Sequence, residues 1–295
     1  MKSWKIGAIA GLIAGLVAGI VYHIFYGIGV SIGLDQPYWR QMYMKNVETG
    51  IVITAIWGMI LGIVFFKTHN IIPGNSFLKG LLFGFVIFII TPFRIATFWA
   101  AYGNYIGAAL NIFAWFLPWI IYGLLLGILF NKFKIFLDKR KIVVYDLKGG
   151  ILPGAISGIC GGIVASIVMV LGSVLEIWKI VSGEYMHPTN LLEIWIDIAG
   201  THMFMNMIWG IVFGIIYTKA YNIVPKKGIW KGLIYGMIVF SITTLQVTSY
   251  FIVWGLNTSD WLMLSNIILN HDIVGFFQAI AFGLVLGLLY RKPTK

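Results

Sequence analysis

Eight nearly uncharged stretches of about twenty residues or more follow one another along the chain, separated by polar loops. A helix rises about 1.5 Å per residue, so about twenty apolar residues cross the ~30 Å hydrocarbon layer of a bilayer. The reading is an all-α integral membrane protein, with transmembrane helices at about 6–31, 47–66, 77–101, 107–130, 149–173, 196–218, 229–254 and 267–290. Lys2 and Lys5 precede the first run as they would in a signal peptide. That run is too long for one, however, and no small-residue cleavage site follows it. It is expected to remain as a helix.

Composition agrees with this reading and narrows the partners. Of 295 residues, 60% are apolar or aromatic and 11% are charged, against about 25% charged in soluble domains. The net charge of +11 is spread over loops, without the aromatic-basic platform that single-strand binders use. The expected partner is therefore the lipid bilayer and not nucleic acid. The single cysteine, Cys160, lies in an apolar Gly-rich run, which excludes a disulfide framework and a cysteine-based metal site.

Lysine and arginine divide the loops into two sets. The termini and the 67–79, 131–148 and 219–231 loops hold nearly all of them, while the opposite set holds Arg40, Lys45 and Lys179. Cytoplasmic loops carry such an excess. The termini are therefore expected in the cytoplasm of a multi-pass protein of the plasma membrane.

The chain also repeats itself. IWGMILGIVFFKTHNIIPGNSFLKGLLFGFVIF (56–88) aligns without gaps to IWGIVFGIIYTKAYNIVPKKGIWKGLIYGMIVF (208–240). Polar turn residues match as well as apolar ones: Asn70 with Asn222, Pro73 with Pro225, and Lys79 with Lys231. Gly7, Gly11, Gly15 and Gly19 match Gly150, Gly154, Gly158 and Gly162, and Gly123 and Gly127 match Gly283 and Gly287. The expected organisation is two tandem four-helix repeats, 1–131 and 149–295, joined by a basic linker, 132–148. Four spans per unit return the chain to its starting side. Both copies would then run in parallel, with a pseudo-two-fold axis along the membrane normal.

Each span holds a G-x-x-x-G pair in the half nearer the basic loops. Small residues at this spacing let helix backbones approach where lipid offers no hydrophobic drive for association. Bulkier and polar residues fill the other half. The expectation is a glycine zipper closed toward the cytoplasm, with a polar vestibule open to the outside.

Ionisable groups within spans are costly and tend to face a bundle interior or water. Arg94, His23, His202, Asn206, Gln246 and Gln278 fall at similar depth in the outer half, with Glu48, His271 and Asp272 slightly higher. Arg94, His202, Asn206, Gln246, Gln278 and Glu48 are the candidate vestibule lining. Arg94 follows Pro92, where a kink is expected, and its counterpart in the second repeat is Gln246. Its guanidinium could bind an anion, pair with a carboxylate or extend to the interface. His23, His202 and His271 continue glycine stripes at four-residue steps and should each face a neighbouring helix. With Asp272 they form a candidate divalent transition-metal site, since imidazole and carboxylate suit zinc, iron, copper or nickel. Hydrogen bonding between helices is the alternative role for the same histidines.

No nucleotide-binding loop or nucleophile motif occupies any loop, so an energy source such as ATP would come from a partner chain. Three functions remain open. The first is a transporter, or transport-associated binding protein, for a small solute or ion. The second is a membrane-embedded metalloprotein or enzyme with a histidine site, and the third is an accessory subunit. No catalytic residue is assigned. Assembly as a homo-oligomer or with a partner membrane subunit is compatible with each.

Overall fold

The computed structural model describes residues 3–34, 46–101, 104–132, 148–174, 191–258 and 272–290. Among them every regular element is helical. The chain divides into two compact units, Met1–Val143 and Val144–Lys295. Most of the basic 132–148 segment lies outside the described residues.

The first unit contains α1 (Ser3–Ser31), α2 (Val47–Thr68), α3 (Ser76–Phe88), α4 (Arg94–Ala101) and α5 (Tyr105–Lys132). The second contains α6 (Lys148–Val174), α7 (Leu191–Ala220), α8 (Gly228–Phe240), α9 (Gln246–Thr258) and α10 (Val274–Leu289). α3 and α4 make one continuous span through a π-helical turn, Ile89–Phe93, and α8 and α9 do the same through Ser241–Leu245. Seven helical stretches are long and apolar enough to cross a bilayer. An eighth, Val274–Leu289, has 16 residues, and the start of its expected span (267–271) lies outside the described residues. The protein is a polytopic, all-helical membrane protein.

The distribution of side chains suits hydrocarbon as solvent. α1 turns Ile9, Leu12, Ile13, Leu16, Ile20, Ile24 and Ile28 outward, and buries Ala10, Ala14 and Ala18. Large apolar residues outside and small ones inside reverse the pattern of a water-soluble helix. The buried alanine stripe continues to Tyr22 and Tyr26, which pack on Leu110 and Ala114 of α5.

Within unit 1, α1 packs most extensively on α2, α3 on α5, and α1 on α5. Within unit 2, α6 packs on α7, α8 on α10, and α10 on α6. At each tightest pair, backbone meets backbone. A methyl group at Gly58 would come within 2.6 Å of the Gly15 Cα, and one at Gly80 within 2.7 Å of the Gly127 Cα. In unit 2, a methyl at Gly210 would come within 2.7 Å of Gly158 Cα, and one at Gly236 within 3.1 Å of Gly283 Cα. Buried tyrosines add ties across these units. Tyr122 donates its hydroxyl hydrogen to the Gly58 carbonyl (2.9 Å), and Tyr235 donates to the Phe213 carbonyl (2.7 Å).

Turn chemistry explains the link between the second and third spans. Asn75 caps α3, its Oδ1 accepting from the Leu78 N–H (2.9 Å). Gly74 sits in the left-handed region at φ 98°, and Lys226, its partner in the sequence alignment, does so at φ 73°. Glycine accepts that backbone without strain, whereas lysine does not. The same backbone path therefore recurs where the side chain no longer favours it.

The π-helical turns follow the same rule. The gapless alignment ends at Phe88 and Phe240, and Ile89–Phe93 and Ser241–Leu245 are the next five residues of each. Pro92 lacks an N–H, so a wider turn in the first unit relieves a missing hydrogen bond. Thr244 stands at that position in the second. Proline is therefore not the sole cause of the turn, and the expected kink resolves into a feature present in both units.

If the close backbone approaches hold the pairs together, Gly58→Ala and Gly210→Ala should each lose about 1–3 kcal/mol of stability through overpacking. Denaturation of purified protein in mixed detergent micelles measures this. Wild-type stability in both variants would mean that the helices separate at no cost.

Candidate functional site

The polar halves of the spans, away from the paired glycines, hold the candidate residues. In unit 2, α7 supplies Asn206 and α10 supplies Gln278. Gln278 Nε2 donates to Asn206 Oδ1, and Asn206 Nδ2 donates to the His202 carbonyl one turn earlier (2.8 Å). α6 leaves room for this pair. A methyl at Gly161 would lie 3.2 Å from the Gln278 carbonyl oxygen and 3.3 Å from its Cγ.

A second tie crosses from α9 to the beginning of the last span. Thr248 Oγ1 donates to Asp272 Oδ1 at 2.6 Å. Below it, Gly275 packs on Thr244 of the π-helical turn, where a methyl would meet Thr244 Cγ2 at 3.0 Å. Gln246 opens α9 directly after that turn and is only 3% exposed. Its Oε1 is buried with no hydrogen-bond partner among the described residues. Asn206, Gln278, Thr248, Asp272 and Gln246 thus give unit 2 a set of buried or half-buried hydrogen-bonding groups within apolar spans.

Unit 1 carries its own polar groups within its spans. His23 is buried on α1 and faces α2, where a methyl at Gly50 would come within 2.5 Å of Nε2. Its ring meets Tyr22 edge-on at 5.0 Å, and Tyr22 stacks on Trp115 at 3.9 Å. Arg94 is the first residue of α4 and is half-buried. Its guanidinium lies over the Phe98 ring, 5.2 Å from the centroid. Nε is buried without a hydrogen-bond partner among the described residues. Two residues before Arg94 in sequence, the Pro92 carbonyl accepts from Asn111 Nδ2 of α5 (2.7 Å). Glu48 is exposed in the first turn of α2, where the partial positive charge of a helix N-terminus favours it.

Of the residues singled out from sequence, the structure joins Asn206 to Gln278 directly and to His202 through its backbone. It ties Asp272 to α9 through Thr248. His23 lies on the α1–α2 contact. His271 lies outside the described residues, so the proposed histidine set is incomplete here. Among the described residues no three His, Cys, Asp or Glu side chains gather as a metal would require. Thr248, Thr244 and Asn111 were missed by the sequence reading. Threonine and asparagine in apolar helices commonly bond their own backbone, so composition alone does not mark those that reach across. Compared with protein-family models, curated proteins and solved structures, the chain matches none.

The groups assembled in unit 2 donate and accept hydrogen bonds, and Asp272 can add charge. Such a set can bind and orient a polar molecule. If the Asn206–Gln278 contact links the helices, a double-mutant cycle with Asn206→Leu and Gln278→Leu should give a coupling of about 0.6 kcal/mol, the average for interhelical hydrogen bonds in membranes. Additive effects in the same unfolding assay would show that the two amides act independently.

Proposed function

We propose that the protein binds a small polar solute or ion in the polar halves of its helices and moves it across the plasma membrane. In this reading the chain is a duplicated four-helix unit, 1–131 and 149–295, with both termini cytoplasmic. The paired glycines form zippers that close the cytoplasmic halves, and the polar halves open outward as a vestibule. The equivalent helix pairings, the recurring left-handed turn and the π-helical turns at one register all support duplication. The excess of lysine and arginine in one set of loops supports the orientation.

The observation that carries the solute-binding reading is Gln246 Oε1. Polar groups that serve only to hold helices together are expected to be paired, because a buried unpaired group costs about 1–3 kcal/mol. Gln246 Oε1 keeps an open acceptor within a span that also presents Thr248 to Asp272. A hydroxyl, amide or ammonium hydrogen of a solute would complete it. In unit 2 the further binding residues of this proposal are Asn206, Gln278, Asp272 and His202, and in unit 1 they are Arg94 and Glu48.

Purified protein reconstituted into liposomes and challenged with a panel of small polar solutes tests this. At least one solute should accumulate above empty liposomes, and Gln246→Leu should weaken its binding about tenfold, the equivalent of ~1.4 kcal/mol. The variant should keep wild-type helix content and elution volume. Uptake equal to empty liposomes across the panel would remove transport. Binding unchanged in Gln246→Leu would remove the assigned acceptor.

A further inference from the structure

We infer that Arg94 is a fixed site for one oxyanion, a phosphate or carboxylate, held in the third span of unit 1. This rests on the solute-binding reading above and gives that solute, or a lipid headgroup in its place, a chemical class. A guanidinium within a span is costly unless it is paired or reaches water. Arg94 lies within the third span, seven residues before α4 ends at Ala101, about 10 Å along the helix. Within the described residues its Nε is buried without a hydrogen-bond partner, and its guanidinium lies over the face of Phe98.

That partner determines what is left to bind. An aromatic face stabilises the cation without consuming an N–H, so the donors along the guanidinium edge stay available. The planar fork of those donors matches the two oxygens of a carboxylate or phosphate, and lysine cannot reproduce it. The π-helical turn sets the register of Arg94, which follows it directly. One residue accommodated in Ile89–Phe93 turns everything after it by about 100° relative to a continuous α-helix. Ala96 is thereby buried, at 1% exposure, and Arg94, two residues earlier, lies about 200° from it around the helix.

The second unit supplies the control. At the same register, after the same turn, it carries Gln246. A span of this shape therefore folds with a neutral amide in this position, and the positive charge is not a requirement of the helix. An anion would satisfy in unit 1 what the amide avoids in unit 2.

The test uses the whole chain, lipid-depleted in a non-ionic detergent, titrated with inorganic phosphate and with acetate at constant ionic strength. In parallel, nanodiscs of phosphatidylcholine are compared with nanodiscs containing phosphatidylglycerol. A ligand of the native state raises the unfolding temperature. The expected result is an upward shift with an oxyanion that Arg94→Gln abolishes and Arg94→Lys retains with affinity about tenfold weaker. A shift with free phosphate or acetate assigns a soluble oxyanion, and a shift confined to phosphatidylglycerol discs assigns a headgroup. No shift in either arm overturns the inference and points to a carboxylate of the chain itself as the partner. A shift that survives Arg94→Gln overturns it as well. If Arg94→Gln fails to fold, Arg94→Lys alone decides, since undiminished affinity in it would contradict fork recognition. The two readings also fail separately. Uptake of a neutral or cationic solute without oxyanion binding removes only this site. Phosphate binding lost in Arg94→Gln, without any solute uptake, keeps this site and removes transport.

Discussion

Helices in hydrocarbon gain nothing from hiding apolar surface, because lipid tails are as apolar as leucine. Close packing takes its place, and in this protein backbones approach closely where Gly58 meets Gly15, Gly80 meets Gly127, Gly210 meets Gly158 and Gly236 meets Gly283. Backbones that touch at one end bring α1 onto α2 and α3 onto α5, and they leave the other end to larger side chains. Tyr122 and Tyr235 reach a neighbour's carbonyl because the helices are already close. The polar groups can then sit together in the other halves without competing for the tight contacts.

Much of this was legible in the sequence because the signals are strong and local. Apolar run length marked the spans, and seven of them are helices long enough to cross. The turn signature Asn-Ile-Ile-Pro at 70–73 marked the loop before the third span, where Asn75 then caps α3. The π-helical turns were not legible. Pro92 marks only one copy, and Thr91, Ser241 and Thr243 bond the backbone one turn earlier, as hydroxyl residues do in ordinary helices. Lys226 illustrates the same limit, since a lysine in a left-handed turn can be anticipated only from its alignment with Gly74.

The candidate site was legible as a depth and not as a set of contacts. Counting residues from the basic loops placed Asn206, Gln246 and Gln278 at one level, and Asn206 and Gln278 do touch. Which of the remaining polar residues reach across depended on the rotation of each helix about its axis. Drift of ~40° per four-residue step and the additional residue in each π-helical turn both alter that rotation. Thr248, the partner of Asp272, lies after such a turn.

The central claim is that the polar halves open to the outside while the glycine-bearing halves stay closed, and thiol accessibility tests it most directly. In a Cys160→Ser background, single cysteines would replace Asp272, Gln278, Leu61 or Leu126 and meet a membrane-impermeant maleimide added outside intact cells. Labelling is expected at the half-buried positions 272 and 278, and protection at the buried positions 61 and 126. Protection at all four positions, or labelling at 272 and 278 only from the cytoplasmic side, would contradict it.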